Sequence, residues 1–502
     1  MLSALRLAVS HRSAGNRQGQ GVDVRSVRRT FGDRIPHVAT ALIVGGIAAL
    51  AISLPQVAVA AVRPAANPNP HTSTYVGTAG TTVVNVNTDT CAGCHRAHTA
   101  QNALLLPTNG AQSDLCFTCH DGTGASSDVQ TEFASAPQND PTTASYFRHD
   151  ATAVNSGHTL SSNNEFGGVL NRHSVCTDCH NPHSTADVNA ATPVDGVAWP
   201  ISGRLSNVAF VSVDNTTTPI TYTFSSSGPA STPAYEYQVC FKCHSNFTVL
   251  PTNTSGKPSQ DMLDAAAEFN PANASYHPIE AAGKNTTLAM GLSLSGTSTY
   301  KLWTFTASQT VRCTNCHADP LFTAGSPTAN ADLPSHTSSF RGILVQNYQD
   351  RVLNARGAAY NGANYALCYT CHTDKPFANG TTANNNLGNA ATNFIVGNSN
   401  LHRYHMSQIS GSGGGGLSID VPGDGQGNAL CAECHFRPHS TKFPTGGQAS
   451  NSRLVNFAPD VTGNNFAAPV WNVNTSTNTV SCDLTCHGKQ HNAADMTYTW
   501  VP

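Results

Sequence analysis

The sequence predicts a mostly irregular fold, with short helices at a repeated cysteine motif, a few short β-hairpins and little side-chain core. Three observations lead to this expectation. The cysteines stand in eight close pairs, each followed directly by a histidine. Charged residues are only 11% of the 502 residues, while Asn, Thr, Ser, Gly and Ala are abundant. Long amphipathic stretches are scarce between the pairs, so few helices could bury one another.

The cysteine pairs define eight motifs, numbered one to eight along the chain. Seven read C-x-x-C-H, and motif eight carries one extra residue, C-D-L-T-C-H. No cysteine is left over. The pairs are Cys91/Cys94, Cys116/Cys119, Cys176/Cys179, Cys240/Cys243, Cys313/Cys316, Cys368/Cys371, Cys431/Cys434 and Cys482/Cys486.

C-x-x-C-H is the attachment site of c-type haem. Both thiols form thioethers with the porphyrin, and the adjacent histidine binds the iron from one side. Disulfides or zinc sites also use cysteines, but neither requires a histidine directly after the second one. We therefore expect eight haem c groups, which would supply the apolar core that the side chains lack. Their proximal ligands would be His95, His120, His180, His244, His317, His372, His435 and His487.

The motifs alternate in type. Motifs two, four and six have an aromatic residue after the first cysteine, namely Phe117, Phe241 and Tyr369, whereas motifs one, three, five and seven have Ala or Thr there. This alternation indicates a two-haem unit that is repeated about four times.

Twelve further histidines follow residue 60, which is enough to bind the second face of all eight irons, while only four methionines remain there. Two-histidine ligation is therefore favoured, and it lowers the reduction potential relative to His/Met ligation. Histidines close behind a motif are better placed to cap a neighbouring haem than their own. The main candidates for distal ligands are His98, His149, His183, His277, His336, His405, His439 and His491.

Four histidines are weaker candidates for the distal position. For His158, His173 and His402 a solvated surface position is nearly as plausible an interpretation. His71 precedes the first motif and has no obvious local partner, so we expect it either to be free or to cap a haem in a neighbouring subunit. In the second case the chain would form linear filaments.

Residues 1–60 have the pattern of a cleaved export signal with a long basic n-region. Seven arginines precede an apolar run at 39–54, and Ala58-Val59-Ala60 offers a cleavage site. The run is short for a stable membrane span. Its removal would take away seven arginines and two aspartates, so the formal net charge would move from −3 to −8. The mature chain then lacks the basic surface of a nucleic-acid-binding protein.

The remaining residues divide into a flexible mature N-terminus at 61–90 and one octahaem cytochrome c domain at 91–502, with a Gly-rich loop at 410–427. Within that domain the pattern predicts a β-hairpin at 208–224. It also predicts a strand at 301–312 and a short helix at 261–269.

The motifs resemble those of the doubled CxxCH multihaem c-type cytochromes, some of which form extracellular filaments. The resemblance rests on C-A-G-C-H-R-A-H, L-C-F-T-C-H-D-G and C-T-D-C-H-N-P-H, and it extends from Cys91 to His491. Motif five departs from the pattern, because no histidine trails His317. The resemblance implies an exported electron carrier, periplasmic or at the cell surface or extracellular. Its partners would be other redox proteins or extracellular electron acceptors, and it could polymerise.

Two functions from different classes compete. The first is electron transfer along the eight haems, with no enzymatic activity. The alternative is a multihaem oxidoreductase that acts on a small nitrogen or sulfur oxyanion. Many such enzymes carry a lysine in place of the motif histidine at the active haem, whereas all eight motifs keep histidine here. The first function is therefore favoured.

Overall fold

The computed structural model describes residues 71, 75–76, 82–83, 94–123, 125, 127–140, 143, 145–152, 173–186, 188–227, 233–250, 262–320, 332–349, 360–377, 391–392, 394–396, 399–407, 429–443, 452–474, 476–477, 479–486, 489–492 and 497–499. The expected export signal at 1–60, the Gly-rich loop at 410–427, Cys91, His158 and His487 lie outside these residues. All described residues fall within one compact unit, Pro68–Pro502.

The described helices are short. They are α1 (Gln112–Cys116), α2 (Val129–Ser135), α3 (Cys176–Cys179), α4 (Glu236–His244), α5 (Ala265–Phe269), α6 (Leu288–Ser295), α7 (Ala366–Tyr369), α8 (Leu401–Ser407) and α9 (Cys431–Cys434), with 3-10 turns at Gly203–Leu205, Cys313–Asn315 and Gly362–Tyr365. None of the helices in this part of the chain is both long enough and apolar enough to cross a membrane.

Most motifs coincide with a helical turn. Motifs two to seven each overlap a helix or a 3-10 turn. In five of them the N–H of the motif histidine donates to the carbonyl of the first cysteine, at 2.8–3.0 Å. A turn of helix brings residues three apart onto one side. It therefore places both cysteines of a motif on one side of the turn.

The strands are β1 (Tyr75–Val76), β2 (Thr82–Val83), β3 (Phe210–Asp214), β4 (Thr221–Ser225), β5 (Ile395–Val396), β6 (Ser399–Asn400), β7 (Val470–Asn474), β8 (Thr479–Cys486), β9 (Lys489–His491) and β10 (Thr497–Thr499). Strands β1/β2, β3/β4 and β5/β6 form antiparallel two-stranded ribbons. The largest described sheet is C-terminal. Its central strand β8 pairs antiparallel with β7, β9 and β10.

The hairpin predicted at 208–224 is present as β3 and β4, with Phe210 opposite Ser225 and Asp214 opposite Thr221. The strand predicted at 301–312 is wrong. Here the N–H groups of Leu302 and Trp303 both donate to the Thr370 carbonyl instead of joining a ladder, because Trp303 and Phe305 are packed into a buried cluster. The helix predicted at 261–269 begins only at Ala265, since the carboxylate of Asp264 accepts from the Tyr222 hydroxyl.

The buried apolar residues form four small clusters rather than one extended core. Each cluster is lined by motif cysteines: Cys371 in the first, Cys368 and Cys431 in the second, Cys482 and Cys486 in the third, and Cys313 in the fourth. Apolar packing is thus concentrated around the motifs. The haem-filled core expected from the sequence remains a prediction.

Candidate haem sites

The motifs touch one another in sequence order. Three contacts join the first cysteines of successive motifs, whose thiols lie within hydrogen-bonding reach of each other. These contacts are Cys116 with Cys176, Cys240 with Cys313, and Cys368 with Cys431. They link motif two to three, four to five, and six to seven.

The other steps are bridged by thiols that perturb each other electrostatically, which requires proximity. The pKa of Cys116 is raised first by Cys176 and further by burial and by Cys94 of motif one. At the other steps burial is the largest cause of a raised thiol pKa, and cysteines of the adjacent motif raise it further. The groups involved are Cys179 with Cys240 and Cys243, Cys316 with Cys371 and Cys368, and Cys486 with Cys434. All eight motifs therefore form one continuous succession.

Cys119 is the second cysteine of motif two. This residue is exposed, and it lines none of the four apolar clusters. The reason is that motif two meets motif three through Cys116, where α1 ends, while Cys119 lies on the turn that follows. Its N–H donates to the Cys116 carbonyl at 3.2 Å, and the Thr118 hydroxyl lies 3.9 Å from its sulfur.

The second cysteines of motifs three and seven resemble Cys119 in their exposure to solvent. Cys179 and Cys434 are exposed as well. Desolvation by the surrounding protein atoms nevertheless raises the pKa of both thiols. Their sulfurs are therefore crowded on one side and open on the other, as expected for an edge against which a flat porphyrin could lie.

Five motif histidines each face a second histidine across a nearly constant gap. The distances between ring centroids are 6.0–6.2 Å, for His95–His183, His120–His71, His180–His336, His244–His149 and His317–His439. A metal–imidazole bond is about 2.0 Å long and the ring centre lies roughly 1 Å beyond the bound nitrogen, so imidazoles on opposite faces of one iron have centres about 6 Å apart. The gaps fit an iron between each pair.

For motifs six and seven, the neighbouring histidine is identified by the effect of its charge on the pKa. Burial, and next the ring of His277, lower the pKa of His372 to about 3. Burial, and next the ring of His435, lower the pKa of His402 to about 3. His277 and His402 are therefore the candidates for the second ligand at these two motifs.

The ring nitrogens on the far side of these histidines are occupied. Nδ1–H donates to backbone carbonyls at His95 (Leu104, 2.8 Å), His180 (Arg204, 2.9 Å), His317 (Gly342, 2.7 Å), His435 (Leu454, 2.9 Å), His71 (Pro182, 2.9 Å) and His149 (Ser335, 2.7 Å), and His277 makes the same bond to Pro438. Nδ1 of His120, His372 and His402 pairs with the hydroxyls of Ser127, Ser293 and Thr392. Nε2 then remains for a metal, and the hydrogen bond fixes the ring orientation.

Two distal histidines hydrogen-bond to buried carboxylates instead. Nδ1 of His336 lies 2.9 Å from Glu132, and Nδ1 of His439 lies 2.9 Å from Glu268. Both glutamates are only 5% exposed. The sequence analysis did not single out these acids, although each stands on a short helix upstream of a Tyr/Arg-His segment, namely Arg148-His149 for Glu132 and Tyr276-His277 for Glu268. Alignment of the repeated units would have revealed this arrangement.

Burial lowers the pKa of seven of the described imidazoles, those of His120, His180, His277, His317, His372, His402 and His435. It is the main cause that lowers the pKa of His180 and of His317 to about 4 each, and the facing rings of His336 and His439 lower it further. His439 is the exception. Burial lowers its pKa, but the charge and hydrogen bond of Glu268 outweigh burial and raise it. A neutral imidazole is the form that binds a metal.

The remaining candidates fall into three groups. His405 and His491 face each other with ring centroids 6.4 Å apart. His98 is exposed, and no contact between its ring and another histidine is seen among the described residues. His173 is half-buried just before motif three, and His158 and His487 lie outside the described residues.

His71 lies beside His120 of its own chain, which argues against the expectation that it caps a haem in a neighbouring subunit. Burial lowers the pKa of His120, and the ring of His71 is the next cause. Nδ1 of His71 also bonds to the residue before His183, the partner of motif one. The histidines that face motifs one and two, His183 and His71, are thus held close together by this hydrogen bond.

The donor set fits haem c. Each of motifs two to seven offers paired sulfurs on a turn and an imidazole that faces or adjoins a second one. The haem iron would supply one-electron transfer between its ferric and ferrous states. The chain's own residues would hold the porphyrin by two thioethers and the iron by two imidazoles, and would fix both ring orientations through the Nδ1 hydrogen bonds.

A family model described as a doubled CXXCH motif matches residues 84–125, which include motifs one and two. No curated protein and no solved structure matches the chain. The matched motif implies covalently bound c-type haem and is consistent with a multihaem c-type cytochrome that transfers electrons.

Proposed function

We propose that this protein carries electrons along a line of eight c-type haems, each ligated by two histidines. The observation that supports it is the continuous succession of motifs, in which neighbouring cysteine pairs are in contact or within electrostatic reach from motif one to motif eight. Haems fixed at these cysteines would follow one another in the order of the sequence.

Ligation on both iron faces favours electron transfer over substrate chemistry, because a substrate needs an open coordination position. Five facing histidine pairs at 6.0–6.2 Å support such closed sites. No observation on the described residues favours the alternative, an oxidoreductase for small oxyanions.

The protein acts outside the cytoplasm in this proposal, after cleavage of residues 1–60. Its partners are other redox proteins or an extracellular electron acceptor. Assembly into a filament would extend the line of haems from one chain to the next, but the position of His71 does not support the link first expected.

The test is intact-mass spectrometry of the exported protein combined with electron paramagnetic resonance of its oxidised form. We expect eight haem additions on a chain that begins near Ala61, and only low-spin ferric signals. A high-spin haem that binds nitrite in the wild-type protein would contradict closed ligation and favour the oxidoreductase. A mass without haem would refute the proposal entirely.

A further inference from the structure

Four oxygen-bearing side chains meet beside the fourth apolar cluster, in which the β3/β4 hairpin and α5 pack together. Tyr222 on β4 donates its hydroxyl to Oδ2 of Asp264 at 2.5 Å. Nδ2 of Asn215, in the turn after β3, donates to Oε2 of Glu280 at 2.6 Å. The charge of Asp264 also acts on Glu280, so the two carboxylates lie near each other. The hairpin thus holds an amide and a phenol against two acids from two other segments.

Three of these side chains each carry one buried oxygen that accepts no hydrogen bond from the described residues. These atoms are Oδ1 of Asp264, Oε1 of Glu280 and Oδ1 of Asn215. Asp264 as a whole is only 4% exposed. An oxygen that is shielded from water needs a donor or a cation, and a charged oxygen needs it most. Three such atoms in one cluster favour a shared cation.

Asp264 does not serve the helix that it precedes. It stands at the N-cap of α5, where an aspartate usually accepts from the N–H groups of the first turn. Its side chain makes no such capping hydrogen bond. The carboxylate instead accepts from Tyr222 of the hairpin. Helix capping therefore does not explain its orientation, and the carboxylate is directed at the hairpin.

The charge of the two acids is not balanced by a basic side chain in the described part of the chain. Neither Asp264 nor Glu280 takes part in any of the ion pairs found there. Burial is the main cause that raises the pKa of Glu280 to about 7, and the charge of Asp264 contributes. Burial also raises the pKa of three nearby phenols, to which the charge of Glu280 contributes, namely Tyr222, Tyr237 and Tyr276. Neutral phenols do not offset the two negative charges, whereas a bound cation would.

The donor set indicates the kind of cation. Every donor is an oxygen, from two carboxylates and one amide. Ca²⁺ prefers carboxylate, carbonyl and water oxygens in a flexible arrangement, whereas Mg²⁺ is smaller and keeps several of its waters. Zn²⁺ is bound mostly by cysteine and histidine. Calcium therefore fits these side chains best, with water as its further ligands.

We propose that Asp264, Glu280 and Asn215 bind one calcium ion, which fastens the β3/β4 hairpin to α5 and to the segment that carries Glu280. None of the three is a predicted haem ligand, so the proposal does not rest on the proposed function. The ion would nevertheless steady two predicted distal ligands. Helix α5 carries Glu268, which bonds to His439, and His277 precedes Glu280 by three residues.

The test measures calcium binding by the purified full-length mature protein after dialysis against EGTA. Isothermal titration calorimetry should show one calcium ion per chain, with a dissociation constant of about 1 mM or lower, and clearly weaker binding of magnesium. Asp264→Asn and Glu280→Gln keep an oxygen for the observed hydrogen bonds but remove one charge, so each should weaken calcium binding about tenfold or more. Asp195→Asn, at an exposed aspartate, is the matched control and should bind calcium as the wild type does.

Thermal unfolding at pH 8, followed by circular dichroism, provides a second measurement. Without calcium, Glu280→Gln should unfold at a higher temperature than the wild type, because one of two neighbouring negative charges is gone. With calcium the order should reverse, because only the wild type gains a bound ion.

The proposal is overturned if the wild type binds no calcium at millimolar concentration, or if magnesium binds more tightly than calcium. It is also overturned if Asp264→Asn and Glu280→Gln bind calcium as tightly as the wild type does, since the ion would then lie elsewhere. If Asp264→Asn does not fold, Glu280→Gln decides by the same criterion.

Discussion

At the scale of single residues, the two carboxylate–imidazole pairs separate motifs three and five from the others. His336 and His439 donate to Glu132 and Glu268, while His71 and His149 donate to neutral backbone carbonyls. A carboxylate acceptor makes a histidine ligand more basic. It should stabilise ferric over ferrous iron, so haems three and five are expected to have the lowest potentials in the line.

We predict that Glu268→Gln raises the reduction potential of one haem by about 60 mV, which corresponds to a tenfold change in the preference for ferric iron. Glutamine keeps the shape and the hydrogen bond but loses the charge. A redox titration followed by optical and paramagnetic spectra measures the shift. Glu132→Gln should shift a different single haem, and Asp114→Asn, at an exposed position on α1, should shift none. Equal potentials in Glu268→Gln and wild type would contradict this assignment.

Sequence reasoning reached the motif residues but could not assign partners. C-x-x-C-H is a local pattern, so its chemistry can be predicted without the fold. The second histidine is brought from a distant segment, and its distance along the chain gives no signal. His402 ranked below His98 in the sequence analysis, yet His402 is half-buried near His435 while His98 is exposed. The motif likewise gives no sign that Cys119 is exposed, because exposure depends on which segments pack against the turn.

At the scale of elements, two short antiparallel bridges recur. Arg148 pairs with Thr337 and Tyr276 with Ser440. Beside each bridge, the backbone N–H of one ligand donates to the carbonyl of another: His149 to His336 at 3.0 Å, and His277 to His439 at 2.9 Å. Each bridge therefore holds two of the predicted distal histidines next to each other. This repeat was visible in the sequence as Tyr/Arg-His segments, but their pairing partners were not.

A buried ion cluster secures the turn of motif five. Arg312 precedes Cys313, and its side chain is 1% exposed. It pairs with Asp332, lies 4.0 Å from Glu236 and stacks at 4.0 Å over the Trp199 ring. Burial raises the pKa of Glu236, and the charge of Arg312 partly offsets that rise.

We predict that Arg312→Met destabilises the protein by about 3–5 kcal/mol, because it leaves the buried carboxylate of Glu236 without its cation. The loss should be smaller at pH 5 than at pH 8. Without Arg312 the folded-state pKa of Glu236 rises further above its unfolded value, and a raised acid pKa lowers stability as pH increases through it. Thermal unfolding followed by circular dichroism at both pH values measures this. Arg96→Met, at an exposed arginine beside motif one, is the control, and an equal loss at both pH values would contradict the mechanism.

At the scale of the whole molecule, the second ligands interlock the repeated units. Motifs one, three and five face His183, His336 and His439, all of which lie farther along the chain. Motifs two and four face His71 and His149, which lie earlier. A two-haem unit therefore does not contain all the histidines that face its own motifs. For this reason the repeat seen in the sequence could not predict the structural boundaries of the units.

We predict that His71→Ala opens one iron face per chain, at motif two, regardless of protein concentration. Carbon monoxide binding to the reduced variant at high and low concentration measures it, and His98→Ala is the control, which should bind none. If His71 instead served a neighbouring subunit, dilution of the wild type would create the same open site. Wild-type spectra that change on dilution would therefore contradict ligation within the chain.

The forward reach of these ligands has a consequence for biogenesis. A chain that crosses a membrane from its N-terminus delivers motif one well before His183, and motif three well before His336. The haems of motifs one, three and five would then keep one open iron face until the segment that carries their second histidine has been translocated. Maturation would proceed from the N-terminus onward. A later segment would supply the second histidine that closes the open iron face of each of these haems. A ribosome or translocase that stalled midway would leave a peroxide-sensitive fragment, which gives quality-control proteases a chemical reason to remove it.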